Sequence, residues 1–294
     1  MKTFISTKRR DWPLRRVVSA LTQYAPWQIE FVETESKADL IVKHIIGRNK
    51  RTTKEVRHLQ ESGQRYAIIQ YALRSTIAPR TSAWLPIWRN AVLTWSYYDL
   101  WKWCRDEWTP TDFPFYHAPL GVDSSVFYPR AAERNYVIAT SGRSAVTESV
   151  REAIHATQRA GRSMFHLGPE LKRGDDIVCR TGLRDDELAT ILSQCEYVAG
   201  LRRMEGFELL AAEGLLCGAR PILFKRHHYR QWHEPWGIFI SEGQRPEVID
   251  SLEEIFNADR APVKQEEREA AARLFNWETI IKGFWDRILD GSAD

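Results

Sequence analysis

Short apolar runs alternate along the chain with longer stretches whose apolar positions recur every three or four residues. KTFIS (2–6), QIEFVE (28–33), DLIVKH (39–44), YAIIQY (66–71), AVLTW (91–95) and FYHAPL (115–120) have the length and the β-branched and aromatic content of buried strands. LRRVVSALTQYA (14–25), TKEVRHLQES (53–62) and YYDLWKWC (97–104) lie between them and read as helices. The alternation restarts after SSVFYPRAAER (124–134). YVIAT (136–140), SMFHLG (163–168), DIVCRT (176–181), YVAGL (197–201), PILFK (221–225) and GIFI (237–240) read as strands, with helices over 147–161, 184–195, 208–216 and 246–257. Two further helical segments, near 263–274 and 277–290, end the chain. Strands alternating with helices predict α/β architecture with parallel sheets, and the restart predicts two of them.

Composition changes this picture little. The 294 residues are 43% hydrophobic and 28% charged, enough to bury a core in each half. No apolar run reaches the length of a membrane span, so no integral membrane segment is expected. The first residues, MKTFISTKRRDWPLRR, lack the apolar stretch of a signal peptide. Cys104, Cys179, Cys195 and Cys217 form no C-x-x-C pair, which predicts reduced thiols in a cytoplasmic protein and no zinc site. Charge is uneven. Residues 1–125 hold 19 Lys and Arg against 12 Asp and Glu, a surplus of seven in a chain of net charge +3, so residues 126–294 carry a deficit of four. Either an anionic partner or an ordinary solvated surface accounts for the surplus.

Candidate chemistry gathers where strands end. In RMEGFELLAAEGLLCGARPIL (203–223), Glu205 and Glu213 stand eight residues apart around the start of a short apolar helix. Gly206 lets a ligand approach the backbone, and the first N–H groups of the helix can hold anionic or hydroxyl oxygens. Two carboxylates so placed can each accept hydrogen bonds from a sugar diol, although a glutamate pair on a helix also occurs as plain surface. Upstream, APLGVDSSVFYP (118–129) suits a rigid crossing between domains.

Together these stretches resemble the retaining glycosyltransferases of the GT-B fold, in the glycosyltransferase group 1 (GT4-like) class. PLGVDSSVFYP is similar to that class's P-x-G-V-D-x-x-x-F-x-P segment, and EGFELLAAEGLLCGARPIL to its E-x7-E block. TGLRDDELATILSQCEYVAGL, between them, also fits. The likeness is good over about residues 118–242 and weak over the first half. It implies two Rossmann-like domains facing a cleft, at 1–125 (acceptor side) and 126–275 (nucleotide-sugar side), with a C-terminal helix at 276–294 packing back on the first domain. It implies that Glu205 contacts the transferred sugar, that Glu213 binds the ribose of the donor, and that the N–H groups of Gly206, Phe207 and Glu208 hold sugar hydroxyls or diphosphate. It also implies front-face attack without a protein nucleophile, with the nucleotide-sugar, in the first instance a UDP-sugar, as co-substrate. The chain has no D-x-D, its Asp175–Asp176 and Asp185–Asp186 being adjacent pairs, so no metal or other cofactor is expected.

The class places an Arg and a Lys on the diphosphate. SGRSAVTESVR supplies Gly142 and Arg143, but Glu148 stands at the Lys position. Arg151, Lys172, Arg173, Arg9 or Arg10 are the candidate substitutes, since leaving-group charge needs cationic or N–H donors. His44 resembles a first-domain histidine of the class, and a structural role competes with a catalytic one for it and for His117. Residues 84–108 hold six tryptophans interleaved with Arg and Lys. Core packing explains such a stretch, and so does a stacking platform involving Trp84 and Trp88 with Arg9 and Arg10. With the basic first half, the platform reading points to a phage-type enzyme acting on a hydroxymethylated DNA base, which would have to be flipped out of a duplex. A lipid or cell-surface polysaccharide acceptor, and an inactive nucleotide-sugar binding module, are the alternatives.

Overall fold

The computed structural model describes residues 1–6, 12–45, 50–73, 84–106, 112–130, 133–142, 148–171, 176–203, 206–258 and 262–291. The chain divides into two units, residues 1–121 with 277–294, and residues 122–276.

In the first unit the described strands are β1 (Lys2–Ser6), β2 (Glu30–Phe31), β3 (Leu40–Ile45), β4 (Tyr66–Gln70), β5 (Leu93–Ser96) and β6 (Phe115–His117). They pair in parallel in the order β2-β1-β3-β4-β5-β6. Every residue of β4 is buried, as expected of a strand covered on both faces, and this is why it reads as an unbroken apolar run. The helices are α1 (Trp12–Gln23), α2 (Lys50–Glu61), α3 (Leu85–Arg89) and α4 (Leu100–Asp106). QIEFVE was expected as a full strand, but only its two central residues pair, because β2 lies at the sheet edge with both residues exposed.

In the second unit β7 (Tyr136–Ser141), β8 (Met164–Leu167), β9 (Ile177–Arg180), β10 (Cys195–Gly200), β11 (Arg220–Phe224) and β12 (Ile238–Ile240) form a parallel sheet in the order β12-β11-β10-β7-β8-β9. Its helices are α5 (Val150–Arg159), α6 (Asp185–Ser193), α7 (Leu209–Leu216), α8 (His227–His233), α9 (Arg245–Asn257) and α10 (Gln265–Leu274). Three of them start alike. A glutamate in the first turn accepts the N–H of the residue before the helix: Glu187 from Arg184 (2.8 Å), Glu247 from Gln244 (3.0 Å) and Glu267 from Lys264 (2.7 Å). The core joins Val137, Ile138, Tyr197, Ile222, Leu223 and Phe224 of the strands to Val150, Ile154, Val248 and Leu252 of α5 and α9.

The last helix, α11 (Trp277–Asp290), belongs to the first unit. Trp277, Ile280, Ile281, Phe284, Trp285 and Ile288 are buried, a stripe at helical spacing. Trp285 Nε1 donates to Leu21 O (3.2 Å), Tyr116 Oη donates to Ile280 O (3.0 Å), and Phe284 packs on Trp95 at 5.7 Å.

Candidate functional site

Each sheet has one place where the strand order reverses. In open α/β sheets, ligands bind beyond the carboxyl ends of the strands at that point. In the second unit it lies between β7 and β10. The chain leaving β7 carries Gly142 and Glu148, and the chain leaving β10 carries Arg202, Gly206, Phe207 and Glu208 into α7.

Arg202 ties these two stretches together. Its Nε lies 3.0 Å from Glu208 Oε1, and its Nη2 lies 3.4 Å from Glu148 Oε1. A Cβ built on Gly206 would meet the Arg202 side chain at 3.3 Å, so the arginine stem lies across that glycine. Glu208 is buried at the start of α7 and accepts a hydrogen bond from Tyr229 Oη of α8 (3.1 Å). Burial raises the Glu208 carboxyl pKa, with Arg202 opposing it, and Glu208 in turn holds Arg202 protonated. The backbone carrying Arg202 is held as well. Arg226 Nη2 donates to Arg203 O (2.7 Å), while the Arg203 side chain pairs with the buried Glu152 of α5 (3.3 Å). Sequence reasoning missed Arg202. Its signal was the Arg-Arg pair directly after a strand and before E-G-F.

Gly142 has φ +132°, open only to glycine, and a side chain there would overlap the Glu148 carboxylate. Behind it, buried His166 bonds the Gly142 carbonyl, and its Nδ1 lies 2.9 Å from Thr140 Oγ1. Burial lowers the His166 pKa, against the opposing effect of its bond to Gly142, and so favours the neutral imidazole.

The other residues singled out by sequence fall as follows. Glu205, Arg143, Lys172, Arg173, Arg9 and Arg10 lie outside the described residues. Glu213 is on α7 with 0% exposure. The Phe207 ring packs near His233 and Phe275. Arg151 is exposed on the first turn of α5, and Arg202 lies beside Glu148. His44 is the penultimate residue of β3, next to the reversal point of the first sheet between β1 and β3. Its Nδ1 lies 2.8 Å from Tyr71 Oη and its ring stacks on Tyr71. Burial, then the Lys43 charge, lowers its pKa to about 4, and its Nε2 has no hydrogen-bond partner among the described residues. His117 stacks on Phe115.

Trp84 and Trp88 correct the platform expectation. Both are fully buried. Trp84 Nε1 donates to Leu73 O (3.1 Å) and Trp88 Nε1 to Gln70 Oε1 (3.2 Å), with the two rings stacked at 6.1 Å. Their apolar faces fill the core and their donors are satisfied inside it, so neither offers a surface to an acceptor. Among the described residues, no three His, Cys, Asp or Glu side chains converge as metal ligands, and no helix is long and apolar enough to cross a membrane.

No protein-family profile matches the chain. A 125-residue stretch is 31% identical to the MMP α-(1→4)-mannosyltransferase of Mycolicibacterium hassiacum, covering 37% of this chain and 30% of that protein, so the match spans less than a third of its relative. Among solved structures, the chain is similar to sucrose-phosphate synthase from Thermosynechococcus elongatus, at TM-score 0.74 and 15% identity over 99% of each chain. It is also similar to Anabaena HepE in complex with UDP and glucose, at TM-score 0.73 and 11% identity over 98% of this chain and 99% of that one. The chain has the two-sheet α/β fold of the GT-B glycosyltransferases.

Proposed function

We propose that the chain is a retaining glycosyltransferase of the GT4-like class that uses a nucleotide-sugar, UDP-sugars being the first to test. The observation that carries this reading is that Gly206, Phe207 and Glu208, from the E-G-F-x5-E stretch of the sequence, lead into α7 after β10, at the reversal point of the second sheet where Gly142 leaves β7. In the reaction, the bond from the anomeric carbon to the phosphate oxygen breaks, and the acceptor oxygen bonds that carbon from the same face. The departing phosphate oxygen takes the acceptor proton, leaving a glycosylated acceptor and a nucleoside diphosphate. Glu205 and the α7 start position the sugar, and cations beside Gly142 stabilise the charge that develops on the diphosphate. No metal or cofactor enters this reading. Four free cysteines agree with a reducing, cytoplasmic setting.

For the acceptor, the basic surplus of residues 1–125 favours an anionic molecule, and a hydroxymethylated DNA base remains the first case to test. The buried tryptophans no longer support it. A lipid or polysaccharide acceptor draws on the same surplus.

The decisive experiment incubates the chain with a panel of nucleotide-sugars and with hydroxymethylated oligonucleotides, lipid vesicles or polysaccharide. Products are read by mass spectrometry and anomeric configuration by NMR. Glu205→Ala and Arg143→Ala should each reduce transfer at least a hundredfold with the fold intact. Undiminished turnover in either removes that residue from the site, and an inverted product removes the retaining assignment.

A further inference from the structure

Building on the nucleotide-sugar reading, we infer that Arg202 grips the donor diphosphate and that Glu148 is its resting counter-ion, displaced when the diphosphate arrives. The two carboxylates around Arg202 are not equivalent. The Glu208 side chain is 5% exposed, fixed by Tyr229 and 3.0 Å from the guanidinium. Glu148 is the more exposed of the two at 14%, and sits farther away at 3.4 Å. Glu208 is the permanent partner that aims Arg202; Glu148 is the exchangeable one. The Arg202 side chain is 35% exposed although its Nε is buried, so part of it stays open to an incoming anion. Arginine suits that task, because its fork matches two phosphate oxygens at once.

The place occupied by Glu148 is the place an anion would take. Its carboxylate lies against Gly142, where the backbone is bare of any side chain, at the reversal point of the sheet. Ser149, the next residue, is buried in a left-handed conformation at φ 51°, which a residue with a Cβ adopts at a cost, so Glu148 is held there by a strained turn. Arg202 with Glu148 and Glu208 sums to one negative charge. A diphosphate at the same spot would meet repulsion from Glu148 unless that side chain leaves. The anion exchange keeps Arg202 neutralised in both states and makes donor affinity depend on the residue at position 148.

The test is calorimetric titration of the full chain with UDP, GDP, ADP and dTDP, each beside its parent nucleoside. Glu148→Gln should bind the recognised diphosphate at least tenfold more tightly than wild type, with nucleoside affinity unchanged. Arg202→Gln should bind it at least tenfold more weakly, and Arg202→Lys should fall between. Thermal melts confirm folding, and Glu148→Gln, which leaves the Arg202–Glu208 pair whole, carries the test alone if Arg202→Gln does not fold. If wild type binds a diphosphate and Glu148→Gln binds it no better, the exchange is wrong while the nucleotide-sugar reading stands. If no variant binds any of the four diphosphates, both are wrong.

Discussion

A tryptophan offers a broad apolar face and a single N–H donor, so its role turns on where that donor finds a partner. Trp88 finds Gln70 inside the core, whereas Trp27 is 90% exposed. Residue type alone does not separate the two, which is why the tryptophan-rich stretch read as core packing with a stacking platform as the alternative. Trp88→Ala should destabilise the protein by about 3–5 kcal/mol through the cavity it leaves. Trp88→Phe should cost about 1–3 kcal/mol, chiefly by stranding the Gln70 oxygen. Trp27→Ala should stay within about 0.5 kcal/mol of wild type. Urea unfolding measures all three. A loss of acceptor affinity in Trp88→Phe without loss of stability would return that residue to the ligand surface.

Elements were legible where burial writes itself into composition. β3, β4, β10 and β11 are covered on both faces, so their apolar runs stand out, and α11 shows its stripe at helical spacing. α8 escaped because HHYRQWH is too short to show a period, yet it delivers Tyr229 to Glu208. Strand order was not legible, since pairing between β7 and β10 joins segments far apart in sequence. For the same reason the Glu148–Arg202 pair could not be read, although the missing Lys at 148 was. α7 shows how packing overrides helix propensity. Gly214 sits mid-helix, where alanine is ordinarily better by about 1 kcal/mol. A Cβ there would lie 2.6 Å from Val198 Cγ1 of β10, a stiff β-branched side chain that is itself fully buried. The overlap should outweigh the propensity gain, so Gly214→Ala should lower stability by about 1–3 kcal/mol. Because α7 carries Glu208 at its start, donor affinity should weaken with it. Thermal unfolding and nucleotide titration check the two effects, and a variant more stable than wild type would show that the helix can shift without cost.

At the scale of the whole molecule, buried histidines set the response to acid. Burial lowers the pKa of His44 to about 4, and of His228 and His233 to about 3. In each case the unfolded chain, with an ordinary histidine pKa near 6.5, takes up a proton that the folded chain refuses. Stability is therefore full above about pH 6.5 and falls as pH drops toward the folded values, by up to about 1.4 kcal/mol per histidine per pH unit. The carboxylates with lowered pKa, Asp112, Asp186 and Glu267, act only at lower pH. Between pH 6.5 and 5 the histidines dominate. His228 and His233 both lie in residues 122–276, as does His166, whose pKa burial also lowers, so that unit should carry most of the acid sensitivity. His233 isolates the effect. It is fully buried near Phe207 and Phe275, and neither ring nitrogen has a hydrogen-bond partner among the described residues. His233→Leu removes both the stranded polar atoms and the titration at similar volume. The variant should be more stable than wild type at pH 7 by about 1–3 kcal/mol. That advantage should widen by about 2 kcal/mol at pH 5, since only the wild type then loses stability to protonation of His233 in its unfolded chain. Urea unfolding of both proteins at the two pH values reads the difference directly. An advantage that does not change with pH would mean that His233 takes its proton equally in the folded and unfolded chain, and that the acid limb belongs to other groups.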